Sequence, residues 1–424
     1  MEIKKRDPSC DVAIVEADIC GGGASGRNTG MVISQWAKFA ALKSLCGEAD
    51  AVRLGKAFGS SADGIESFCC NNNIDAEFRR DGWVWGATCA KHVGSWDGIL
   101  AALEASGLSP FRRLTGRDIA QLCGTTSFLA GIHDPLAATV HPGKLVRGLR
   151  RVALARGIRI FENAAMVRLD RSDPVVVHTA RGFMRAKTCV LTMNAWSTLI
   201  PELRPTILVI ASDDAVTGPV PDLLDKVGYR RRPLMGDSQT FVTGFRTTAN
   251  DRFQPGVTGG LLGYGALSGN RFEGRSFREK AIRDCVRRGF PALADLPFVD
   301  SWYGPIDRTR SGLPLFGALP GSPNIFYGYG FSGNGVATTS VTAKILAALA
   351  LRVTDEWSSC GLIRSPERWL PPEPVRFLGS HLVRAAIRRK DRLENENRTP
   401  GPLVRALAAL APGGITTSQI PRPQ

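Results

Sequence analysis

Val12-Ala13-Ile14-Val15-Glu16 runs, after four residues, into Gly21-Gly22-Gly23-Ala24-Ser25-Gly26-Arg27-Asn28. Four apolar residues ending on a carboxylate read as a buried strand, and the glycines read as a loop that a ligand can approach closely. This is the second half of a dinucleotide-binding βαβ unit. Its first half would be a strand, a G-x-G-x-x-G turn and a helix, with the acidic residue about 20 residues beyond the glycines. Fifteen residues precede Glu16, and none of them forms that turn. The sequence therefore predicts an α/β fold: a Rossmann-like nucleotide domain lacking its first strand and pyrophosphate loop, and truncated at its N-terminus.

A chain of 424 residues accommodates two or three domains with buried cores. No apolar run reaches the length of a membrane span; the longest, Ile345–Val353, is interrupted by Arg352. Residues Met1–Asp7 have no apolar stretch behind them and do not read as a signal peptide. Ten cysteines are scattered without a C-x-x-C pair, which predicts free thiols in a reducing compartment, no zinc site and a cytoplasmic location. Net charge is +15, and residues 376–405 hold eight basic side chains against three acidic ones. Aromatic residues are not interleaved there, so a solvated basic helix is expected rather than a specific nucleic-acid site.

Pattern along the chain predicts six segments. Residues 1–80 form the first part of the cofactor domain, with apolar positions at helical spacing across Gln35–Cys70. Residues 81–138 form a substrate-side or cap segment containing a strand at Gly82–Thr88. Residues 139–205 return to the cofactor domain through an amphipathic helix, Leu145–Arg156, closed by Gly157. Residues 206–300 read as an antiparallel sheet walling a substrate pocket, with a helix at Phe277–Arg288 and a strand beginning at Phe298. Residues 301–360 complete the cofactor domain with a strand at Asn324–Gly330 and a helix at Val336–Leu351. Residues 361–424 hold a Pro-rich linker, a basic helix at His381–Glu394, and a disordered end from Gly414.

Two constellations carry chemistry. A carboxylate such as Glu16 at a strand end accepts hydrogen bonds from both ribose hydroxyls of an adenosine. Far away in sequence, Gly328-Tyr329-Gly330-Phe331-Ser332-Gly333-Asn334-Gly335-Val336 joins a strand to a helix. Backbone N–H groups at such a junction suit a phosphate or a developing negative charge.

Together with Gly82-Trp83, His141-Pro142, Asn194-Ala195-Trp196, Trp302, Gly304-Pro305-Ile306-Asp307 and Gly312-Leu313-Pro314, these loops make a specific pattern. The chain resembles the D-amino-acid oxidase-like flavoproteins, the group of glycine oxidase, sarcosine oxidase and γ-glutamylputrescine oxidase. The resemblance covers about Arg6 to Pro412. It implies FAD as cofactor and oxidation of the C–N bond of an amine or amino acid. A neutral amine gives hydride to the flavin, the imine hydrolyses, and dioxygen accepts the electrons to give hydrogen peroxide. It implies cofactor-binding roles for Glu16, Gly23, Ala24, Ser25, Arg27, Asn28, Val167, Asn194, Ala195, Gly330, Gly333, Asn334, Gly335 and Val336. No cysteine lies beside Trp302–Pro305, where some relatives tether the flavin, so noncovalent FAD is expected.

Arginine forks match carboxylates. Arg246, Arg252 and Arg308 are the candidates for holding a substrate, with surface ion pairing the alternative for each. His141, before Pro142, is expected to make a structural hydrogen bond. No acid–base side chain is singled out, and no oligomeric state is assigned. Two other readings stand beside the enzyme: a noncatalytic remnant that cannot retain FAD, and a basic scaffold binding acidic partners through residues 376–405.

Overall fold

The computed structural model describes residues 1–229, 232–266 and 272–413; the end from Gly414, expected to be disordered, lies outside them. Helix α1 (Glu2–Arg6) leads to strand β1 (Ala13–Val15), the glycine loop, α2 (Ala24–Arg27) and β2 (Met31–Val32). The helical stretch expected across Gln35–Cys70 is divided into α3 (Phe39–Cys46), α4 (Glu48–Gly59) and α5 (Ser61–Asn71). Gly47, at φ 77°, ends α3 and turns the chain into α4, a conformation a Cβ would oppose.

Next come β3 (Trp83–Ala87), α6 (Asp97–Glu104), β4 (Arg112–Thr115), α7 (Gly116–Cys123), β5 (Ala130–Asp134), β6 (Ala138–Thr139), α8 (Pro142–Ala155) and β7 (Arg159–Phe161). His141 caps α8, its Nδ1 accepting the Lys144 N–H at 3.3 Å with Pro142 in the first turn, the structural role expected of it. Beyond the end of α8, Gly157 turns the chain at φ 73°, also as expected.

A meander of β8 (Met166–Asp170), β9 (Val175–Thr179) and β10 (Gly182–Ala186) precedes β11 (Cys189–Leu191). Then follow β12 (Leu208–Thr217), α9 (Pro221–Lys226), β13 (Leu234–Asp237), β14 (Thr243–Thr247), β15 (Phe253–Val257), α10 (Glu279–Gly289), β16 (Phe298–Arg308), β17 (Leu315–Leu319), β18 (Ser322–Tyr329), α11 (Gly335–Ala350), α12 (Val375–Asn395) and α13 (Pro402–Ala408).

Three pairs of the named strands run parallel among the described residues. β1 pairs with β7, β11 pairs with β18, and β3 pairs with β13. The first two are the Rossmann-like part and stand as separate small sheets among the described residues. The third lies inside an eight-stranded sheet of order β16-β12-β15-β14-β13-β3-β5-β4, antiparallel elsewhere. The antiparallel sheet expected over 206–300 is therefore wider: strands from 81–138 join it, and β16 runs on to Arg308. Pro255, which has no N–H to give a ladder, sits inside β15 opposite Phe245. Its neighbours outweigh the missing N–H, because Phe253 stacks on Phe245 at 6.0 Å in a buried core.

The two faces of this sheet differ. One packs against α10, where Phe290 meets Phe245 at 5.1 Å and Phe253 at 5.5 Å. The other turns toward the glycine loop and β2.

The C-terminal helix begins at Val375, earlier than the basic run itself suggests, and it is docked onto the sheet. Buried Asp391 accepts the N–H groups of Thr240 and Phe241 at 3.2 and 3.1 Å, while Arg384 and Arg388 donate to the carbonyls of Gly260 and Gly259. Arg389 and Arg392 stay exposed and without an ion-pair partner among the described residues. No helix of the described residues is long and apolar enough to cross a membrane.

Candidate active site

Register decides which side chains face the glycine loop. Gly244 and Gly256 are opposed across β14 and β15, and Gly256 is opposed to Asp214 on β12, which is opposed to Trp302 on β16. Directly opposed residues share a face. A Cβ at Gly244 would lie 2.9 Å from the Met31 side chain, and one at Gly256 would lie 2.3 Å from Asp214 Oδ1. That row therefore faces β2, with two glycines as its floor. Arg246 and Gln254, one pleat along, share the face: Arg246 Nε donates to Gln254 Oε1 at 2.9 Å and its Nη1 to the Val140 carbonyl at 2.8 Å. Gly30, at φ 70°, is pressed between Val140 and Arg246, so a side chain there has no room.

Strand β16 spans the two glycine-rich loops. The Trp302 indole N–H donates to the Arg27 carbonyl at 2.9 Å, in the first loop. Ile306, on the same face, lies where a Cβ on Gly333 would meet its side chain at 3.3 Å, in the second. The two contacts are four residues of extended chain apart, about 13 Å. Between them a Cβ on Gly304 would meet nothing within 4 Å. The strand face between the two loops is thus open at Gly304, where an elongated ligand would have room.

The ends of the parallel strands supply polar groups around that opening. Glu16 closes β1, and among the described residues only its Oε1 has a partner, the Asp18 N–H at 3.0 Å. Apolar surface lies exposed along the same strands and the chain just beyond them, at Ile14 (40%), Phe161 (42%) and Val167 (65%). Arg27 is half-buried, and its guanidinium makes no ion pair or hydrogen bond among the described residues. Asn194, just after β11, sits at φ 48° with its Oδ1 buried and without a hydrogen-bond partner. At the start of α11, the N–H groups of Gly333, Gly335 and Val336 make no hydrogen bond among the described residues. Orphaned donors and acceptors beside exposed apolar surface fit a dinucleotide carrying ribose, phosphate and aromatic rings.

Other candidates are occupied within the protein. Asn28 Nδ2 donates to the carbonyls of Ala24 and Ser25, and its Oδ1 accepts the Gly30 N–H at 2.7 Å. It shapes the loop. Ser25 is exposed on α2, Ala24 is half-buried there, and Gly23 caps that turn with open space around it. Ala195 is fully buried beneath Asn194. The Asn334 side chain donates to the Ser34 carbonyl at 3.3 Å, tying α11 to the segment after β2. Residues 328–333 have the spacing G-x-G-x-x-G between a strand and a helix, a signal the glycine count alone does not bring out. Yet the Asp307 carboxylate accepts the N–H groups of Gly330, at 2.5 Å, and Ser332, at 3.3 Å. An internal carboxylate closes this loop where a phosphate would otherwise sit.

Charge is concentrated on the lined face. Burial, reinforced by neighbouring Asp213 and opposed by Arg246, pushes the Asp214 carboxyl up to about 7. Asp214 is 6% exposed and makes no hydrogen bond or ion pair among the described residues, and its Oδ1 is orphaned. Burial and Arg79 lower Arg246 to about 10. Farther along β16, burial lowers Arg308 to about 10, and it lowers Lys38 to about 7, with Arg308 adding to the effect. Lys38 donates to the Gly312 carbonyl, while Arg308 has no hydrogen-bond partner among the described residues. Of the three substrate-side arginines, Arg246 and Arg308 thus belong to the lined face. Arg252 sits in the β14–β15 turn, its Nη1 3.4 Å from the Thr217 carbonyl, and is not gathered with them. Asp214, Gln254 and Lys38 escaped the sequence reading; strand alternation from the core residue Phe253 could have pointed to Gln254, but nothing local singles out Asp214 from Asp213.

These features define a flavin-dependent oxidoreductase fold. The FAD dependent oxidoreductase family (DAO) matches residues 2–349, and the chain belongs to that family. Among curated relatives it is similar to gamma-glutamylputrescine oxidoreductase of Escherichia coli (strain K12), 25% identical over 342 residues, or 80% of this chain and 78% of that one. It is also 24% identical over 351 residues to the probable oxidoreductase OrdL of Haemophilus influenzae, covering 80% and 77%. Among solved structures, glycine oxidase from Geobacillus kaustophilus shares the fold, with TM-score 0.70 at 18% identity over 87% of this chain and 95% of that one. L-proline dehydrogenase from P. horikoshii does so with TM-score 0.68 at 16% identity, over 84% and 90%. Helices α12 and α13 lie beyond the family match.

Proposed function

We propose that this protein binds FAD noncovalently and oxidises the C–N bond of a small amine or amino acid, the imine then hydrolysing and dioxygen accepting the electrons to give hydrogen peroxide. Family membership supports an FAD-dependent oxidoreductase of the amine and amino-acid oxidase type. The observation that carries the reading to this site is the span of β16, which touches Arg27 in one glycine loop and Gly333 in the other with open space at Gly304 between.

When bound, FAD supplies the two-electron acceptor for the C–N bond. The chain's own residues bind and orient. Glu16, through its unpartnered oxygen, would take the adenosine ribose, with the Val167 backbone and the apolar surface of Ile14 and Phe161 covering the adenine end. Arg27 and the free N–H groups of Gly333, Gly335 and Val336 would meet anionic or carbonyl oxygens. The buried Oδ1 of Asn194 would accept a hydrogen bond from the cofactor. Gly23, Ala24, Ser25, Asn28, Ala195, Gly330 and Asn334 shape the walls. Noncovalent binding is supported by the absence of cysteine from residues 286–359. Ten free thiols favour a reducing, cytoplasmic setting.

The test is direct. Purified protein is titrated with FAD by quenching of flavin fluorescence, then screened against primary and secondary amines and amino acids with peroxide detection. Saturable binding and a peroxide-yielding amine are expected. A protein that stays colourless after incubation with FAD would be the noncatalytic form.

A further inference from the structure

Resting on the proposed flavin-dependent amine oxidation, one buried group calls for a ligand. Asp214 is the only carboxylate in the row Trp302–Asp214–Gly256–Gly244, and that row faces Met31 and the loop holding Arg27. Its Oδ1 is buried and has no donor among the described residues. A buried oxygen left in this state costs free energy that folding does not recover. The adjacent residue shows what the fold does when a carboxylate on this strand is structural: Asp213, on the opposite face, accepts Ser276 Oγ at 2.8 Å and Arg278 Nη1 at 2.6 Å. Asp214 has no such partners. Gly256 lets Asp214 Oδ1 lie close over the strand, Arg246 is engaged by Gln254 and Val140, and Trp302 is engaged by Arg27. What this face offers is one unpartnered carboxylate oxygen on the strand next to Trp302, a setting that selects a cation carrying N–H donors.

We propose that the Asp214 carboxylate is the counter-charge for the substrate's ammonium group and takes from it the proton that must leave before its C–N bond is oxidised. An N–H bond of the ammonium breaks and an O–H bond forms on Asp214; charge is conserved, and no electrons are transferred in this step. The substrate class follows: primary or secondary amines that arrive protonated. A carboxyl held near 7 by burial is matched to accepting that proton at neutral pH.

The probe is tert-butylammonium, which has no hydrogen on its amine-bearing carbon and cannot be oxidised; tert-butanol is the uncharged control. Binding of each to FAD-loaded wild type and Asp214→Asn is measured by calorimetry, and FAD affinity of both proteins by fluorescence. The expected result is unchanged FAD affinity and a loss of tert-butylammonium affinity of about tenfold or more in Asp214→Asn, with tert-butanol indifferent to the change. With an oxidised amine, the rise in kcat/KM through pH 7 should also flatten in the variant. Equal tert-butylammonium affinity in the two FAD-loaded proteins overturns the proposal and leaves the oxidase reading standing. Failure of wild type to bind FAD at all overturns both.

Discussion

The indole N–H of Trp302 and the carbonyl oxygen of Arg27 meet at 2.9 Å across 275 residues of sequence. That bond joins the far end of the eight-stranded sheet to the glycine loop, and so fixes the width of the gap beside Gly304. Trp302→Phe keeps an aromatic ring and removes the donor. A stability loss of about 1 kcal/mol by urea denaturation is expected, with FAD affinity weakened several-fold by fluorescence titration. An unchanged FAD affinity would show that this bond does not set the gap.

Glu16→Gln keeps the size of the side chain and removes its charge. Weaker FAD binding, by about tenfold, is expected from the loss of charge-assisted bonds to the ribose. Riboflavin lacks the adenosine and should bind both proteins alike. A variant that lost both ligands equally would point to a damaged loop.

Asp214 should leave a signature in stability against pH. Its folded value is raised to about 7, against about 3.9 for an unperturbed aspartate. Below about pH 4 it is protonated whether folded or not, and burial costs nothing extra; the penalty grows as pH rises toward 7 and is complete above it. Asp214→Asn should therefore melt at the same temperature as wild type at pH 4 and be more stable at pH 8, by on the order of 2 kcal/mol. Calorimetry at the two pH values decides it, and an equal difference at both would refute the assignment.

Gly30 has no space for a side chain: a Cβ would fall 2.0 Å from the Val140 carbonyl oxygen and 2.6 Å from Arg246 Nη1, at a φ of 70°. Gly30→Ala should lose more than about 2 kcal/mol. Gly23→Ala, where a Cβ meets nothing within 4 Å, should fold with near wild-type stability.

The exposed arginines of α12 should retain the protein on a sulfated polyanion column at low salt. Arg389→Gln with Arg392→Gln should elute at lower salt, since each removes a charge with no ion-pair partner among the described residues. No shift in elution would count against the scaffold reading.

Periodicity and glycine spacing made the strand β1, its glycine loop and the β18–α11 junction legible. Glu16 at a strand end and the glycines before α11 are local patterns, and local patterns survive in one dimension, whereas Asn194 stood out only through the family resemblance. The sheet was less so. β3 joins β13 although some 150 residues separate them, and no short-range signal reports such a partner. Asp214 was illegible for a sharper reason. Asp213 and Asp214 look alike in sequence, and only register against Gly256 and Trp302 tells which one shares the face of the glycine loop. His141 was read correctly because a cap is a matter of three residues.

That pair of aspartates has a consequence for how the molecule can change. Successive residues of β12 address opposite sides of one sheet, so a single peptide bond separates the chemistry within from the upkeep of the exterior. Asp213 holds Arg278, whose neighbours Arg384 and Arg388 anchor the C-terminal helix. Substitution at 213 should loosen that helix while sparing the face of the glycine loop, and substitution at 214 should do the reverse. Substrate preference and the appended helix can thus diverge independently from adjacent codons.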